Sequence, residues 1–529
     1  MTPSQDTSSQ AGNTKTKVLL EMRPAFEGFA GIPQETRLLF SIIAKMPDYE
    51  VEGLLQGGQA HLNLSAGTPK KETRYFIKKT SIARRYGMYS KVITSLREKP
   101  YLSALEGLSN FFEKRLEWFV LRLGTIFKFP IKSTVFRGEG FEDFLWRTLF
   151  DKTLPSSEFS SVVSKNFQVI SASWQGMHKA GLSSIAVSRN AVYPKVNLGG
   201  TEVFIGQTPY PGQLNKKTKM IIRYHDAIPI FYPHTINDVS EHQASHQYAL
   251  EGNVKSGAWF ACVSEATRSD LVKLHPEVAD KAVTIHNIIS PHYYREETPF
   301  ERVRGIIRSR ICNDGNARQK GVAQRFHTLR EKEAFFRKNL FGKEFSYLLV
   351  VSTIEPRKNH SRALAAWEIL KEEVDPNLKL ITVGTMGWGV QSLAQSLRTW
   401  IDRGELFMLS SVPAPDLRVL YRHAAVTICP SVQEGFDFSG VEAMCSGGIT
   451  AASDIPVHRE IYEDAAEYFD PYSTRSTVDC LKRMIYSPES AAVRTRLEQR
   501  GAEISQRYTA EAIMPKWEKF LARVRASQN

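Results

Sequence analysis

Apolar residues in this chain fall into two kinds of stretch. Some are short unbroken runs: Lys17-Val-Leu-Leu-Glu21, Met220-Ile-Ile-Arg-Tyr224, Trp259-Phe-Ala-Cys-Val263, Val283-Thr-Ile-His-Asn-Ile-Ile289, Leu378-Lys-Leu-Ile-Thr-Val383 and Ala425-Val-Thr-Ile428. Runs of this length, rich in β-branched residues and bounded by loop residues, predict strands buried on both faces. Others recur every three or four positions, as in Leu38-Leu39-Phe40 with Ile42-Ile43, or Arg362 to Leu370, and predict helices. Strand and helix alternate from 17 to about 43 and again across 344–505, the pattern of α/β parallel, doubly wound sheets. The expected organisation is an N-terminal domain at 17–298, a second at 344–505, and a final helix around Ile513 to Arg525 within 506–529. Residues 65–160 follow no such alternation and are read as an insertion in the first domain. Residues 299–343, dense in Arg and Lys, are read as a basic linker carrying an inserted helix.

The loops after three of these strands carry the chemistry. Phe345 to His360 reads FSYLLVVSTIEPRKNH: a strand, then Arg357 and Lys358, then a helix for which Asn359 or Ser361 is the expected cap. Adjacent cations at a helix N-terminus suit a diphosphate, the guanidinium gripping two oxygens and the ammonium adding a point charge. Taken alone the pair also fits a solvated basic turn. Leu378 to Trp388, LKLITVGTMGW, ends in glycines that let a ligand approach the backbone. Cys429 to Gly448, CPSVQEGFDFSGVEAMCSGG, puts Glu434 in a loop at a strand's carboxyl end and Glu442 in the first turn of the next helix. Two carboxylates at that edge of an open sheet accept hydrogen bonds from sugar or ribose hydroxyls. A plainer reading stands beside it: Ser439-Gly-Val-Glu442 fits a capping box, with Glu442 purely structural.

In order, Thr353-Ile-Glu-Pro-Arg-Lys-Asn359, Val383-Gly-Thr-Met-Gly-Trp388, Leu420-Tyr-Arg-His423 and Glu434-Gly-Phe-Asp-Phe-Ser-Gly-Val-Glu442-Ala-Met444 resemble the retaining family-4 glycosyltransferases of GT-B fold. The last block is similar to that family's E-x7-E signature. The resemblance is strong over 345–475 and patchy before it, and the wording is most similar to bacterial mannosyltransferases of polysaccharide and O-antigen (lipopolysaccharide) assembly. It implies two Rossmann-like domains facing a cleft. It implies a nucleotide-sugar donor, GDP-mannose by likeness to those mannosyltransferases, and a lipid-linked or polysaccharide acceptor. The donor pocket it implies comprises Arg357, Lys358, Gly384, Phe436, Asp437, Phe438, Ser439, Gly440, Val441 and Glu442. Glu434 would touch the sugar and Glu442 the ribose. His225-Asp226, at the end of the 220–224 strand, resembles the His-Asp block that orients the sugar from the other domain. Gly28 and Gly31, in the first strand–helix loop, match a glycine loop facing the cleft, as an acceptor or phosphate loop or as a simple turn. Asp437-Phe-Ser-Gly440 departs from the family's usual wording and puts the donor sugar in doubt more than the fold.

The resemblance also implies retention of anomeric configuration: the acceptor hydroxyl attacks on the leaving-group face and the departing phosphate takes its proton. No D-x-D motif is present, so no metal is expected to bridge the diphosphate, and no cofactor beyond the donor substrate is expected. Transfer from another GDP- or UDP-sugar, a sugar-nucleotide epimerase or hydrolase of the same fold, and a non-catalytic scaffold in glycan assembly are the alternatives.

Composition narrows the surroundings. The 529 residues carry a net charge of +13, with 42% hydrophobic and 24% charged residues, as in an ordinary globular protein with an acidic partner. No nucleic-acid module is recognisable, so anionic lipid is the expected partner surface. The basic run from Lys70-Lys71 to Arg84-Arg85 and the stretch Phe111 to Phe129 belong to that expectation. In the latter, Trp118, Phe119 and Phe127 alternate with Lys114, Arg115, Arg122 and Lys128, as in a helix lying in a membrane interface or packed on the first domain. Five scattered cysteines (Cys262, Cys312, Cys429, Cys445, Cys480) lack metal or disulfide spacing and suit a reducing cytoplasm. Residues 1–16 are Ser-, Thr- and Gln-rich and are expected to be disordered rather than a signal peptide. The expected place is the cytoplasm, at the inner face of the plasma membrane.

Overall fold

The computed structural model describes residues 15–57 except 27 and 30, positions 87, 89, 90, 92, 93 and 96, and 103–527 except 312–321 and 342–343. The expectations for residues 1–14 and for the basic run 70–85 lie outside these. Thr16 is already the first residue of a strand.

The described residues form two large sheets and a small three-stranded one made by Ile131–Lys132, Lys195–Asn197 and Gln213–Leu214. The N-terminal sheet holds β1 (Thr16–Glu21), β2 (Tyr49–Gln56), β3 (Thr134–Phe136), β4 (Phe167–Ile170), β5 (Val203–Gly206), β6 (Lys219–Tyr224), β7 (Trp259–Cys262) and β8 (Ala282–Thr284), in spatial order β8-β7-β6-β5-β1-β2-β4-β3. All pairs are parallel except β3 with β4. The C-terminal sheet holds β9 (Tyr347–Val351), β10 (Lys379–Val383), β11 (Leu406–Leu409), β12 (Val426–Cys429), β13 (Thr450–Ser453) and β14 (Ala466–Phe469), in order β11-β10-β9-β12-β13-β14 and wholly parallel. Strand order reverses between β1 and β5 in the first sheet and between β9 and β12 in the second. Ligands of doubly wound sheets bind outside the carboxyl ends of strands at such reversals.

Two segments lie elsewhere than their composition suggests. Helices Glu301–Arg310 and Leu329–Leu340, expected as a basic linker, bury Val303, Ile306, Ile307, Phe336 and Leu340 against Tyr347, Leu349, Ile381 and Phe407 of the C-terminal sheet. They are amphipathic, and most of their cations lie on the outer face (Arg308 on Glu333 at 2.6 Å, for example). Within the expected insertion, Phe136, Leu145, Leu149 and Phe150 belong to the N-terminal core.

The helix Ala510–Ala526 leaves the second domain and seats Ile513, Trp517, Phe520, Leu521 and Val524 in the core of the first, with Leu20, Phe40 and Trp259. Beneath it, Arg223 of β6 and Glu35 of the helix Ile32–Lys45 form a fully buried ion pair at 2.8 Å. The guanidinium also donates to the Ile285 carbonyl (2.6 Å) and Asn287 Oδ1 (2.7 Å) and lies 5.4 Å from the Trp517 ring centre. A buried pair is costly unless further bonds support it; here the Ala261 carbonyl of β7 and the 285–288 loop supply them, and Arg223 Nε is left without a partner among the described residues.

Candidate active site at the interdomain cleft

Loops 352–359 and 430–437 leave the carboxyl ends of β9 and β12, the two strands that part at the reversal. The expected cations and the first carboxylate meet there. Arg357 Nη1 lies 2.9 Å from Glu434 Oε2, Lys358 Nζ 2.5 Å from Glu434 Oε1, and Arg357 Nε 2.7 Å from Glu355 Oε1. Burial alone would push the Glu434 carboxyl up, but Lys358 and Arg357 hold it below the usual carboxylate range. Burial does raise Glu355. The cations are thus shared among protein carboxylates. A guanidinium has five N–H bonds and an ammonium three, more than these contacts consume, so both can still serve an incoming anion. Asn359 takes the helix N-cap position in left-handed conformation (φ 56°), yet its side chain makes no cap bond. It donates instead to the carbonyls of Pro430 (3.1 Å) and Pro471 (2.9 Å), tying the two loops together.

His225 and Asp226 face this cluster from the end of β6. Burial, reinforced by Arg223, lowers His225 to about 3, so the imidazole is neutral, and its Nε2 is buried with no hydrogen-bond partner among the described residues. Burial raises Asp226, opposed by Arg357 across the domain boundary, and its Oδ1 accepts from the Ile228 amide at 3.0 Å. The domains are in contact here. A side chain at Gly435 would overlap the His225 carbonyl oxygen. Thr267 Oγ1 stands 3.4 Å from the carbonyl oxygens of both His225 and Gly435. The Glu460 carboxylate accepts from the amides of Glu265 (2.6 Å) and Ala266 (3.0 Å), at the start of the helix Glu265–Leu274, and contacts His286 Nε2 at 2.8 Å. Trp388 Nε1 donates to the Thr235 carbonyl at 3.0 Å.

Glu442 is not a capping residue. The helix Phe438–Cys445 is capped by Asp437, whose Oδ1 accepts from the Ser439 amide (3.1 Å) and hydroxyl (2.6 Å). Glu442 therefore lies in the second turn rather than the first, with its carboxylate turned to the other domain. Gln34 Nε2 donates to its Oε1 and the Tyr421 hydroxyl to its Oε2, both at 3.1 Å, and Tyr293 also bonds it. Burial raises Glu442 to about 7 against these bonds. The oxygens expected to hold a ribose are thus taken by Gln34 and Tyr421 in this closed form.

The other residues expected at the donor pocket make contacts within the protein. Val441 is core, and Gly440 leaves room for the Tyr462 ring. Phe436 and Phe438 pack on each other (ring centres 5.1 Å apart), and Phe436 on Tyr508. Asp437 is held by Ser439 and by His458 (3.3 Å); burial would raise its carboxyl, but His458 and Lys358 hold it well below the usual range. At Gly384 and Gly387 it is the protein's own backbone that comes close. A side chain at Gly384 would overlap the Ser352 carbonyl, and one at Gly387 would crowd the Ile354 carbonyl, where Ile354 and Met386 bridge. Gly28 and Gly31 both have positive φ (70° and 69°). Arg37 Nη2 donates to the Gly28 carbonyl at 2.9 Å, whereas open space lies beside Gly31 at the N-cap of Ile32–Lys45. Among the described residues no group of three His, Cys, Asp or Glu side chains converges as a metal site would.

Glu355, Tyr421, Tyr293, Gln34 and His458 join the site without having been singled out. Glu355 and Tyr421 lay inside recognised blocks, adjacent to the residues that drew attention. Nothing local marks Gln34, 408 positions from its partner.

Residues 331–503 match the family described as glycosyl transferases group 1. O-antigen chain mannosyltransferase B of Escherichia coli is 26% identical over 223 residues, which span 42% of this chain and 50% of that protein. The serotype-specific mannosyltransferase WbdA of Escherichia coli is 37% identical over 122 residues, 23% of this chain and 15% of that protein. This chain therefore spans half or less of the length of those relatives. Among solved structures, sucrose-phosphate synthase from Thermosynechococcus elongatus superposes with a TM-score of 0.53 at 13% identity, over 97% of this chain and 100% of that one, a likeness of fold. Residues 331–503 are a group 1 glycosyl transferase domain, set in a chain of GT-B architecture.

Proposed function

We propose that this chain is a retaining glycosyltransferase that moves mannose from GDP-mannose to a lipid-linked or polysaccharide acceptor. The observation that carries the reading is the convergence of Arg357, Lys358 and Glu434 at the C-terminal reversal, opposite a neutral His225 with an unsatisfied buried nitrogen. Arg357 and Lys358 stabilise charge developing on the departing diphosphate, in a site from which closure has excluded water. With two cations in that role, transfer proceeds without a metal. The C1–phosphate bond breaks as the acceptor oxygen bonds to C1 on the same face, and the hydroxyl proton passes to the leaving phosphate oxygen. His225 Nε2 takes a hydrogen bond from a sugar hydroxyl. Glu442 exchanges Gln34 for the ribose when the donor enters. The choice of mannose rests on the likeness to the two mannosyltransferases, and that of acceptor on the O-antigen relative.

The enzyme works at an anionic membrane surface, on the cytoplasmic side; no helix among the described residues is long and apolar enough to cross a membrane. A panel of GDP- and UDP-sugars tests the donor. A ligand that binds only the native state stabilises it by about 2.7 kcal/mol at a hundred times its Kd. GDP-mannose should give the largest rise in Tm. A larger rise with a UDP-sugar would replace the donor and leave the transferase reading in place, whereas no response to any would remove both.

A further inference from the structure

The helix Ala104–Ile126 bears two apolar faces where a surface helix ordinarily bears one. One faces inward: Leu121 is 7% exposed, Trp118 packs at the edge of the N-terminal core, and Glu117 Oε1 accepts from the Ser173 amide at 2.7 Å. The opposite face looks outward. Leu105, Leu108, Phe111, Phe112, Leu116, Phe119, Val120, Leu123 and Ile126 are 37% to 78% exposed, and Phe127 and Phe129 extend the surface past the helix end at 65% and 69%. Contiguous apolar surface of this extent marks an interaction site.

We propose that this face docks the chain on an anionic phospholipid bilayer by lying in the headgroup boundary. Breadth and charge choose the occupant. The exposed residues cover about half of the helix circumference, wider than the narrow a/d seam a second helix would fill. Arg115 and Arg122 project from one side of this face, between Phe111 and Leu108, with their guanidiniums over the Phe111 and Trp118 rings (4.9 and 5.6 Å), and Lys114 and Lys128 stand outside it. Cations beside a broad apolar face are the pattern of interfacial helices. A net charge of +13 on every copy opposes self-pairing through this surface. Sequence adds to the attraction: residues 70–99, which lead toward the helix, hold ten Lys and Arg against two Glu.

The helix is also tied to the cleft. Ser173, which Glu117 holds, caps the helix Trp174–Leu182 just beyond the carboxyl end of β4. The Trp174 ring lies 4.4 Å from the guanidinium of Arg23, which bonds Glu21 (2.8 Å) at the end of β1 and Thr208 (3.2 Å) just past β5. Docking through 105–129 would therefore bring the carboxyl edge of the N-terminal sheet near the bilayer, where a saccharide carried on a lipid is presented. That last consequence rests on the transferase reading; the docking itself does not.

Co-sedimentation of the full chain with vesicles tests it, with no sugar nucleotide present. Vesicles of phosphatidylglycerol mixed with phosphatidylcholine should bind the chain at least tenfold more tightly than pure phosphatidylcholine, with binding falling as salt rises. A Phe112→Glu/Leu116→Glu/Phe119→Glu variant changes only exposed positions, and should keep its Tm and lose tenfold or more on the anionic vesicles. An Arg115→Ala/Arg122→Ala variant should lose less, and its deficit should vanish at high salt. Wild-type binding by the triple variant would overturn the proposal. So would a wild-type dimer, seen by sedimentation velocity, that the triple variant dissolves with vesicle binding unchanged.

Discussion

Gly435 of the C-terminal domain rests on the carbonyl oxygen of His225 in the N-terminal domain, at a separation that leaves no space for a side chain. The two domains thus close through a point where one methyl group would hold them apart. Gly435→Ala should leave each domain folded, with an unchanged far-ultraviolet spectrum, but open the cleft. The expected result is a larger radius of gyration in solution scattering and a fall in transfer rate of at least about tenfold, since closure assembles the site. A variant of unchanged rate and compactness would show that this contact does not govern closure.

Arg357 Nε lies 2.7 Å from the Glu355 carboxylate, and Arg357 shares Glu434 with Lys358. Arg357→Ala should lower turnover about a hundredfold or more, as loss of a transition-state donor does, and should also destabilise the domain, because it strands a buried carboxylate. Arg357→Lys restores charge without the fork and should recover stability more than rate. Single-turnover rates set beside urea midpoints separate the two effects.

The Glu442 carboxyl sits near 7 in the folded chain and near its ordinary 4.5 when unfolded. Between those values the native state holds a proton that the unfolded state has released. This group's contribution to stability is therefore greatest below about pH 4.5 and declines as pH rises to 7, by on the order of 3 kcal/mol. Glu442→Gln removes the dependence. The wild type should lose stability relative to the variant as pH rises from 4.5 to 7.5, so that the two curves separate with the variant the more stable at the upper end, and parallel curves would refute the raised value. If Glu442 also holds the ribose, the same variant keeps its fold and loses donor affinity; a merely structural glutamate would leave affinity intact.

On the proposed function, in which Arg357 and Lys358 meet the diphosphate's charge, exhaustive chelation should leave transfer unaffected. Activity lost with chelator and restored by magnesium or manganese would overturn that assignment of charge.

Trp517 is fully buried between β6 and the helices around it, over the Arg223–Glu35 pair. Trp517→Ala should cost about 3–5 kcal/mol, and the loss should appear in the N-terminal domain although the residue follows the second one in sequence. Hydrogen exchange at β6 and β7 reports it directly.

Where function depends on a short string at a strand end, the sequence was readable. Arg357, Lys358 and Glu434 were singled out from their loops, and the reversal of strand order brings those loops together. The reading weakened where two interpretations shared one string. Ser439-Gly-Val-Glu442 has the spacing of a capping box, but the aspartate two positions earlier supplies the cap, and Glu442 is free to cross the domain boundary. Gly384 looked like room for a ligand, and the room is taken by the adjacent loop's backbone. The basic wording of 299–343 hid an apolar stripe on each of its two helices, because cations on an outer face dominate composition while the few residues of the inner face decide position. Partners such as Gln34 for Glu442, or Trp517 for Arg223, are set by tertiary closure alone.

The helix Ala510–Ala526 gives the chain an order of assembly. The strands of the first domain are synthesised early, yet the apolar surface over β6 and β7 and one side of a buried charge pair stay uncovered until hundreds of residues later. The second domain, whose contacts are nearer in sequence, can finish first. Ribosome-bound chains ending before 510 would thus carry a C-terminal domain beside an uncapped N-terminal one, and would depend on chaperones for as long as the last helix is missing.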